Sequence, residues 1–239
     1  MRFALLRQTV YVRPPAAGIP FKAKPVRYIA KFILIKWVHV YGHQMVAARS
    51  SEYATALGVS DKTVTKIMRE LVEAGLMSRS AIKSGKRGRP SNGYQISEAT
   101  LCLIEDAEVV DLEHVASRID TILSEKSSGN LFGRRLLEMT LLAHSDASGQ
   151  VSLSKREVLR LTGMSWQSVI NNLIGLQRSG RVTSIRLPYS EHSFIAHSDL
   201  IVQVSISGQA PTGYIRFLLP ADVFQDVQGR DIVSYLASG

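Results

Sequence analysis

The 239-residue sequence contains a single cysteine, Cys102, so no disulfide can form within the chain. A lone cysteine is typical of proteins from a reducing compartment. Long apolar runs are also missing. The most apolar stretch, residues 32–35, is followed at once by Lys36, whereas a membrane span needs about 20 apolar residues. The first seven residues reach charge too early for a signal peptide, because Arg2 and Arg7 enclose only a short apolar segment. We therefore expect a cytoplasmic protein with no membrane segment.

The motifs of common enzyme and metal sites are lacking too. Residues 85–87 have neither the serine or threonine that follows the lysine of a P-loop nor the spaced glycine before it. His39 and His43 lie four residues apart, but no glutamate stands between them as in zinc proteases. His192 and His197 have no cysteine or carboxylate at metal-ligand spacing. We expect no catalytic residues, no metal and no cofactor.

Acidic residues are outnumbered, with 20 Asp and Glu against 29 Lys and Arg, and the net charge is +9. The excess is uneven along the chain. Residues 1–96 hold 17 basic and 4 acidic residues, for +13; residues 97–130 hold 2 and 8, for −6; residues 131–239 hold 10 and 8, for +2. A strongly basic segment favours an acidic partner such as nucleic acid, and the asymmetry indicates parts with different roles.

Apolar periodicity and turn-forming residues predict an α+β, mainly helical protein. Residues 1–26 contain four prolines and are predicted as an N-terminal arm. Two domains are predicted at 27–97 and 131–239, joined by an acidic helical linker at 98–130. The predicted helices are 27–43, 52–57, 61–74, 98–125 (continuous or broken once), 132–144, 155–161, 166–178 and a closing helix at 221–236. The predicted strands are 77–82, 93–97, 182–187, 194–196, 200–206 and 214–219, so the end of the second domain is rich in strand.

Four apolar residues of the linker, Leu112, Val115, Ile119 and Ile122, are spaced three, four and three residues apart. This spacing fits the seam of a short coiled coil, which would make the linker a dimerisation element. It fits equally well a helix that packs on its own domain.

Residues 50–69 carry the most specific motif. The small residue Ala54 allows a second helix to cross the first closely, and Gly58, four residues later, permits a sharp turn. Val64 and Ile67 follow at core positions of the second helix, so their neighbours face outward.

This spacing resembles the helix-turn-helix of bacterial DNA-binding proteins, and the two strands and basic loop that follow extend the resemblance to the winged-helix superfamily. The resemblance covers residues 27–97. It implies that the helix at about 61–74, capped by Ser60, enters the DNA major groove. The base contacts are then predicted as Lys62, Thr63 and Lys66, and the phosphate contacts as Thr65 and Arg69.

The basic loop at 83–92 corresponds to the wing of such a domain. Its cations are Lys83, Lys86, Arg87 and Arg89. Clustered like charges repel one another unless an anion is present, which predicts contact with phosphates or the minor groove. The tetrapeptide at 87–90, Arg-Gly-Arg-Pro, also resembles the core of the AT-hook, which implies A·T-rich DNA near the wing.

The helix-turn-helix motif occurs a second time, 105 residues further along the chain. Gly58 maps to Gly163 and Ser60 to Ser165, while Asn172 falls where the first copy has an apolar residue. We interpret the chain as two winged helices in tandem. The second recognition helix presents Trp166, Gln167, Ser168 and Asn171, which predicts either a secondary DNA contact or a dimerisation or partner surface. Trp166 is either a buried anchor or an exposed contact residue.

These patterns predict a sequence-specific, double-stranded DNA-binding transcription regulator, located with the nucleoid. A homodimer would read a near-palindrome or a repeat with recognition helices in successive major grooves. A plasmid-type replication initiator with tandem winged helices is an alternative that no motif separates from a regulator. A protein-interaction scaffold without DNA binding is a second alternative.

Overall fold

The structure, a computed structural model, describes residues 2–11, 25–82, 91–105, 113–125, 131–186, 200–206 and 216–218. These residues form an α+β, mainly helical protein, as the sequence predicts. The helices are α1 (Arg2–Arg7), α2 (Tyr28–Tyr41), α3 (Ser50–Leu57), α4 (Asp61–Glu73), α5 (Glu98–Glu105), α6 (Glu113–Ser124), α7 (Phe132–Ala143), α8 (Lys155–Thr162) and α9 (Trp166–Arg178). The strands are β1 (Val46–Ala47), β2 (Met77–Ile82), β3 (Ser91–Ile96), β4 (Gln150–Leu153), β5 (Val182–Arg186), β6 (Leu200–Val204) and β7 (Arg216–Leu218). None of the helices in this part of the chain is long and apolar enough to cross a membrane.

The chain divides into two compact units. The first comprises residues 1–111 and 123–132, and the second comprises residues 112–122 and 133–239. Each unit combines helices with its own small sheet.

Helix α2 is the centre of the first unit, because α1, α3 and α4 all pack on it. Its residues 30–38 are buried without interruption, although two of them are lysines. A surface helix would leave one face exposed, so this burial means that α2 is covered on all sides. The Lys31 ammonium donates to the Gln8 carbonyl at 2.8 Å, and the Lys36 ammonium donates to the Glu125 carbonyl at 3.5 Å.

The three-stranded sheet of the first unit has the order β1-β3-β2 and is antiparallel throughout. Strands β2 and β3 form a hairpin in which Met77 pairs with Ile96 and Ile82 pairs with Ser91. Strand β1 pairs with the other edge of β3, so β3, the last of these three strands in sequence, lies in the middle of the sheet.

The second unit repeats this element order, with α7, β4, α8, α9, β5 and β6 in place of α2, β1, α3, α4, β2 and β3. Its sheet has the order β4-β6-β5-β7, which is the order of the first sheet with β7 added parallel to β5. The turn glycines agree as well: φ is 68° at Gly58 and 69° at Gly163, then 71° at Gly75 and 69° at Gly180. The displacement of 105 residues therefore relates equivalent backbone positions.

The prediction of an arm at 1–26 is wrong for its first residues. Helix α1 buries Leu5 and Leu6 and packs on α2 and α5. The prolines begin only after this helix, so they do not interrupt it. Beyond α1, Tyr11 forms an antiparallel bridge with Pro25.

The predicted linker at 98–130 is instead divided between the two units. Thr100 of α5 is buried in the first unit, where its hydroxyl donates to the Leu76 carbonyl at 3.0 Å. Val115 and Ile119 of α6 are fully buried in the second unit. The intrachain core therefore accounts for these two side chains of the predicted coiled-coil seam.

Other differences concern short elements. Strands β1 and β4 were not predicted, because two to four residues are too short for a clear alternating pattern. The predicted strand at 194–196 and the predicted helix at 221–236 lie outside the described residues.

Candidate nucleic-acid interface

The turn between α3 and α4 sets the direction of the candidate recognition helix. Gly58 takes the left-handed conformation that ends α3, and the Val59 amide donates to the Ala54 carbonyl at 2.9 Å. Ser60 then caps α4, because its hydroxyl accepts a bond of 3.2 Å from the Thr63 amide. The side chain of Ala54 is buried where the two helices pack, as the small residue in the motif predicts.

Helix α4 has one buried and one exposed face. Its buried side chains are Val64, Ile67, Met68 and Leu71. The exposed face carries Lys62, Thr65, Lys66 and Arg69. Thr63 is half-buried, and its hydroxyl lies 2.8 Å from the Ser60 hydroxyl, so this predicted base contact also belongs to the helix cap.

A groove of about 600 Å³ opens between α4 and the β2–β3 hairpin. It brings together four of the five predicted contacts on α4 with residues of both strands. Its lining consists of Asp61, Lys62, Thr65, Lys66, Arg69, Val72, Arg79, Asn92 and Tyr94. The groove therefore has a helical wall that carries cations and a second wall made by the hairpin.

Arg79 is a cation of this groove that sequence reasoning missed. It is exposed on β2, where it pairs in register with Tyr94 of β3. Its Nε and Nη2 atoms both donate to Asn92 Oδ1, at 3.0 and 2.7 Å. The alternation of strand residues could have placed Arg79 on a face, but only the hairpin register brings it to Asn92.

The carboxylates of α4 leave the positive charge of the groove largely uncompensated. Glu70 accepts a bond of 2.9 Å from Arg27, and this bond raises the pKa of Arg27. Glu73 lies 3.6 Å from Arg69, but both side chains are at least 70% exposed, so the pair contributes little. Asp61 is the carboxylate in the lining of the groove, against three cations of α4 and one of β2.

An aromatic cluster supports the hairpin wall. The Tyr53 hydroxyl donates to the Val46 carbonyl at 2.7 Å and accepts a bond of 3.1 Å from the Ala48 amide. Burial raises the pKa of Tyr53 to about 12, so the hydroxyl keeps its proton at neutral pH. The Tyr53 ring packs against Tyr94 with a centroid distance of 5.6 Å, and against Trp37 at 5.4 Å. The packing of these rings therefore supports Tyr94, which lines the groove.

The predicted wing cations, Lys83, Lys86, Arg87 and Arg89, lie outside the described residues. The hairpin that flanks them closes with the pairing of Ile82 and Ser91. Their contact with DNA stays a prediction from the sequence.

The second unit holds the other predicted contact residues on α9. Gln167 and Asn171 are exposed, and Gln167 Nε2 donates to Asn171 Oδ1 at 3.2 Å. Ser168 is half-buried, and its amide donates to the Ser165 cap at 3.3 Å. Trp166 is neither fully buried nor fully exposed; the Lys155 ammonium lies 5.3 Å from its ring centroid.

Asn172 stands where the first unit has the buried Ile67. It is half-buried, and its amide nitrogen donates to the Ser168 carbonyl at 2.8 Å. The polar side chain is therefore satisfied by its own helix, and the position tolerates it.

No group of three or more His, Cys, Asp or Glu side chains that could hold a metal occurs among the described residues. Comparison of the chain with protein-family models, with curated protein sequences and with solved structures finds no match.

Proposed function

We propose that the chain is a sequence-specific, double-stranded DNA-binding transcription regulator with two winged helix-turn-helix domains in tandem. The element order supports this proposal, because each unit has a helix, an edge strand, two crossing helices and a hairpin. In the first unit α4 is then the recognition helix, and residues 83–90, which join β2 to β3, are the wing. The proposal assigns no catalytic activity and no cofactor to the chain.

The observation that carries the proposal is the convergence of Lys62, Lys66, Arg69 and Arg79 on one open groove. A helix with its side chains is about 10–12 Å across, and the major groove of B-DNA is about 12 Å wide, so the exposed face of α4 fits into it. Lys62 and Lys66 contact base edges near the start of the helix. Arg69 and Thr65 contact phosphates, and Arg79 adds a phosphate contact from the hairpin.

Because phosphate contacts release counterions, binding should weaken steeply as salt increases. Each lost contact lowers the slope of log K against log salt by about 0.9. The triple variant K62A/K66A/R69A removes one phosphate contact and two base contacts, so it should lose about 0.9 from the slope and at least ~10-fold in affinity at 0.1 M salt. Fluorescence anisotropy with the full chain and a labelled duplex measures both values. Arg178→Ala, which removes an exposed cation from the end of α9, is the matched control.

Selection of bound fragments from genomic DNA, followed by sequencing, supplies the duplex for this titration. One enriched motif, arranged as a near-palindrome or repeat, is the expected result for a homodimeric regulator located with the nucleoid. An A·T-rich flank beside the motif is expected if the wing enters the minor groove. Direct repeats recovered at a single locus would identify a replication initiator instead. Failure to recover any fragment, together with salt-independent behaviour, would contradict DNA binding and favour a protein-interaction scaffold.

A further inference from the structure

The 105-residue displacement allows the charges of the two helix pairs to be compared position by position. Helices α3 and α8 each span eight residues, and α4 and α9 each span thirteen. The caps agree closely: ψ is 154° at Ser60 and 156° at Ser165. Equivalent positions therefore lie on equivalent faces of each unit.

At these equivalent positions, a cation in one unit corresponds to an uncharged residue in the other, and the cations lie on different helices of the two pairs. On the second helix, Lys62, Lys66 and Arg69 of α4 are replaced by Gln167, Asn171 and Ile174 of α9. On the first helix, Ser50, Ser51 and Thr55 of α3 are replaced by Lys155, Arg156 and Arg160 of α8. The second unit thus has three cations on the helix that comes before its candidate recognition helix.

The three cations of α8 are available at the surface. Lys155, Arg156 and Arg160 are all exposed, and none of them forms an ion pair within 4 Å with any described residue. The single carboxylate of α8, Glu157, is half-buried and accepts bonds from the Ser154 hydroxyl and amide at 2.7 and 2.9 Å. These bonds are the main cause of the lowered pKa of Glu157, to which the nearby Arg160 charge adds a smaller contribution, so the carboxylate serves mainly as the helix cap.

The cationic helix also lies beside the start of α9. The Lys155 ammonium is 5.3 Å from the Trp166 ring centroid, which places the first residues of the two helices next to each other. In the first two turns of α9, the bond of 3.2 Å between Gln167 and Asn171 holds two exposed amides together. The cationic helix α8 therefore borders a neutral, hydrogen-bonding surface on α9.

We infer that the second unit makes a separate contact with double-stranded DNA. In this contact, phosphate binding and base recognition are carried out by different helices. Lys155, Arg156 and Arg160 bind phosphates, as expected for a first helix that crosses the DNA backbone. Gln167 and Asn171 contact base edges, where amide side chains can donate to and accept from adenine in the major groove. The first unit combines both tasks on α4, whereas the second separates them. This inference rests on the proposed function for the general partner, DNA, but concerns a different surface.

The test uses two variants of the full chain with opposite expected signatures. Replacing the cations with glutamines, in K155Q/R156Q/R160Q, should lower the salt slope by up to about 2.7 and weaken binding on the order of 10-fold or more, with an unchanged preferred sequence. Replacing the amides, in Q167A/N171A, should leave the salt slope unchanged and relax the base preference in one part of the selected site. A merely structural role predicts neither of these separate effects.

Arg178→Ala is the control for charge removal, since it changes an exposed cation at the far end of α9. Circular dichroism checks that each variant keeps its helices. Wild-type affinity, slope and base preference in both unit-two variants would overturn the inference, and would identify this surface as one for a protein partner or none. If the unit-two variants behave as wild type but K62A/K66A/R69A loses binding, the proposed function is supported and only the inference about the second unit fails. If the wild-type chain binds no duplex, both proposals fail together.

Discussion

Lys31 provides a quantitative test of the core of the first unit. Its side chain is only 1% exposed, and its ammonium is bonded to the Gln8 carbonyl just beyond α1. Burial lowers the pKa of Lys31 from 10.5 to about 7, because a charged ammonium loses its hydration inside the protein. In the unfolded chain the same group keeps its ordinary pKa. Folding is therefore linked to the loss of a proton over this range.

The sign and size of the effect follow from this difference. Between pH 10.5 and 7 the unfolded state binds more protons, so the free energy of unfolding decreases as the pH is lowered. Above this range both states are neutral and the penalty vanishes; below it both states are protonated and the penalty is constant. A difference of 3.5 pH units corresponds to about 5 kcal/mol at the low-pH limit. By the same relation, the penalty in the free energy of unfolding is about 2 kcal/mol at pH 9 and about 4 kcal/mol at pH 7.

Substitution of Lys31 by Met isolates this contribution. The change removes the titrating group and the bond to Gln8, whose loss of about 1 kcal/mol does not vary over this pH range. The stability of the variant relative to its parent should therefore decrease by about 2 kcal/mol between pH 7 and pH 9. In a Trp166→Phe background Trp37 of α2 is the one tryptophan left, and its fluorescence reports denaturant unfolding of this region.

Lys66→Met is the matched control, because Lys66 is exposed on α4 and should give a difference that does not change with pH. A stability difference between Lys31→Met and its parent that stays constant from pH 7 to pH 9 would refute the reasoning. It would mean that the native state accommodates the Lys31 charge as well as water does.

Two further predictions concern the turn and the hairpin wall. Alanine at Gly58 or Gly163 forces a left-handed conformation on a residue with a Cβ atom, and each substitution should lower the free energy of unfolding by about 1–2 kcal/mol in denaturant titrations. Equal losses at the two sites are expected, and no loss at either would contradict the left-handed cap. Tyr53→Phe removes the hydroxyl that joins Val46 and Ala48, so thermal unfolding should show a loss of about 1–3 kcal/mol. An unchanged melting temperature would show that this bond contributes nothing.

The helix pairs could be predicted from the sequence because their signals are local. A glycine that must take positive φ, a serine cap two residues later and apolar residues at helical spacing all fall within about 20 residues. Gly58 and Ser60 carry these signals in the first unit, and Gly163 and Ser165 carry them in the second. Each signal acts on neighbouring backbone groups, so the helix pairs can be predicted without knowledge of tertiary contacts.

The missed features depend on contacts between distant parts of the chain. The eight residues between Ile82 and Ser91 are compatible with several hairpin registers, so the hydrogen bond from Arg79 to Asn92 could not be predicted from either strand alone. Lys31 interrupts the apolar pattern of α2, so the sequence predicts that its side chain is exposed to solvent. It is buried because α1 covers that face of the helix, and nothing within α2 reports this cover.

Segment charge is a poor guide to surface charge in the second unit. Residues 131–239 have a net charge of only +2, yet residues 131–186 hold eight basic and three acidic residues. Glu138 is 8% exposed and lies 2.8 Å from Arg118, while Glu157 is held in a helix cap. Asp146, the third, is bound by the Ser148 hydroxyl and backbone amides in a turn. All three carboxylates have partners within the unit, and of them only Glu157, whose pKa is also lowered by Arg160, lies on α8 with its three cations. The potential that DNA would meet there is set by exposed cations rather than by the sum over the segment.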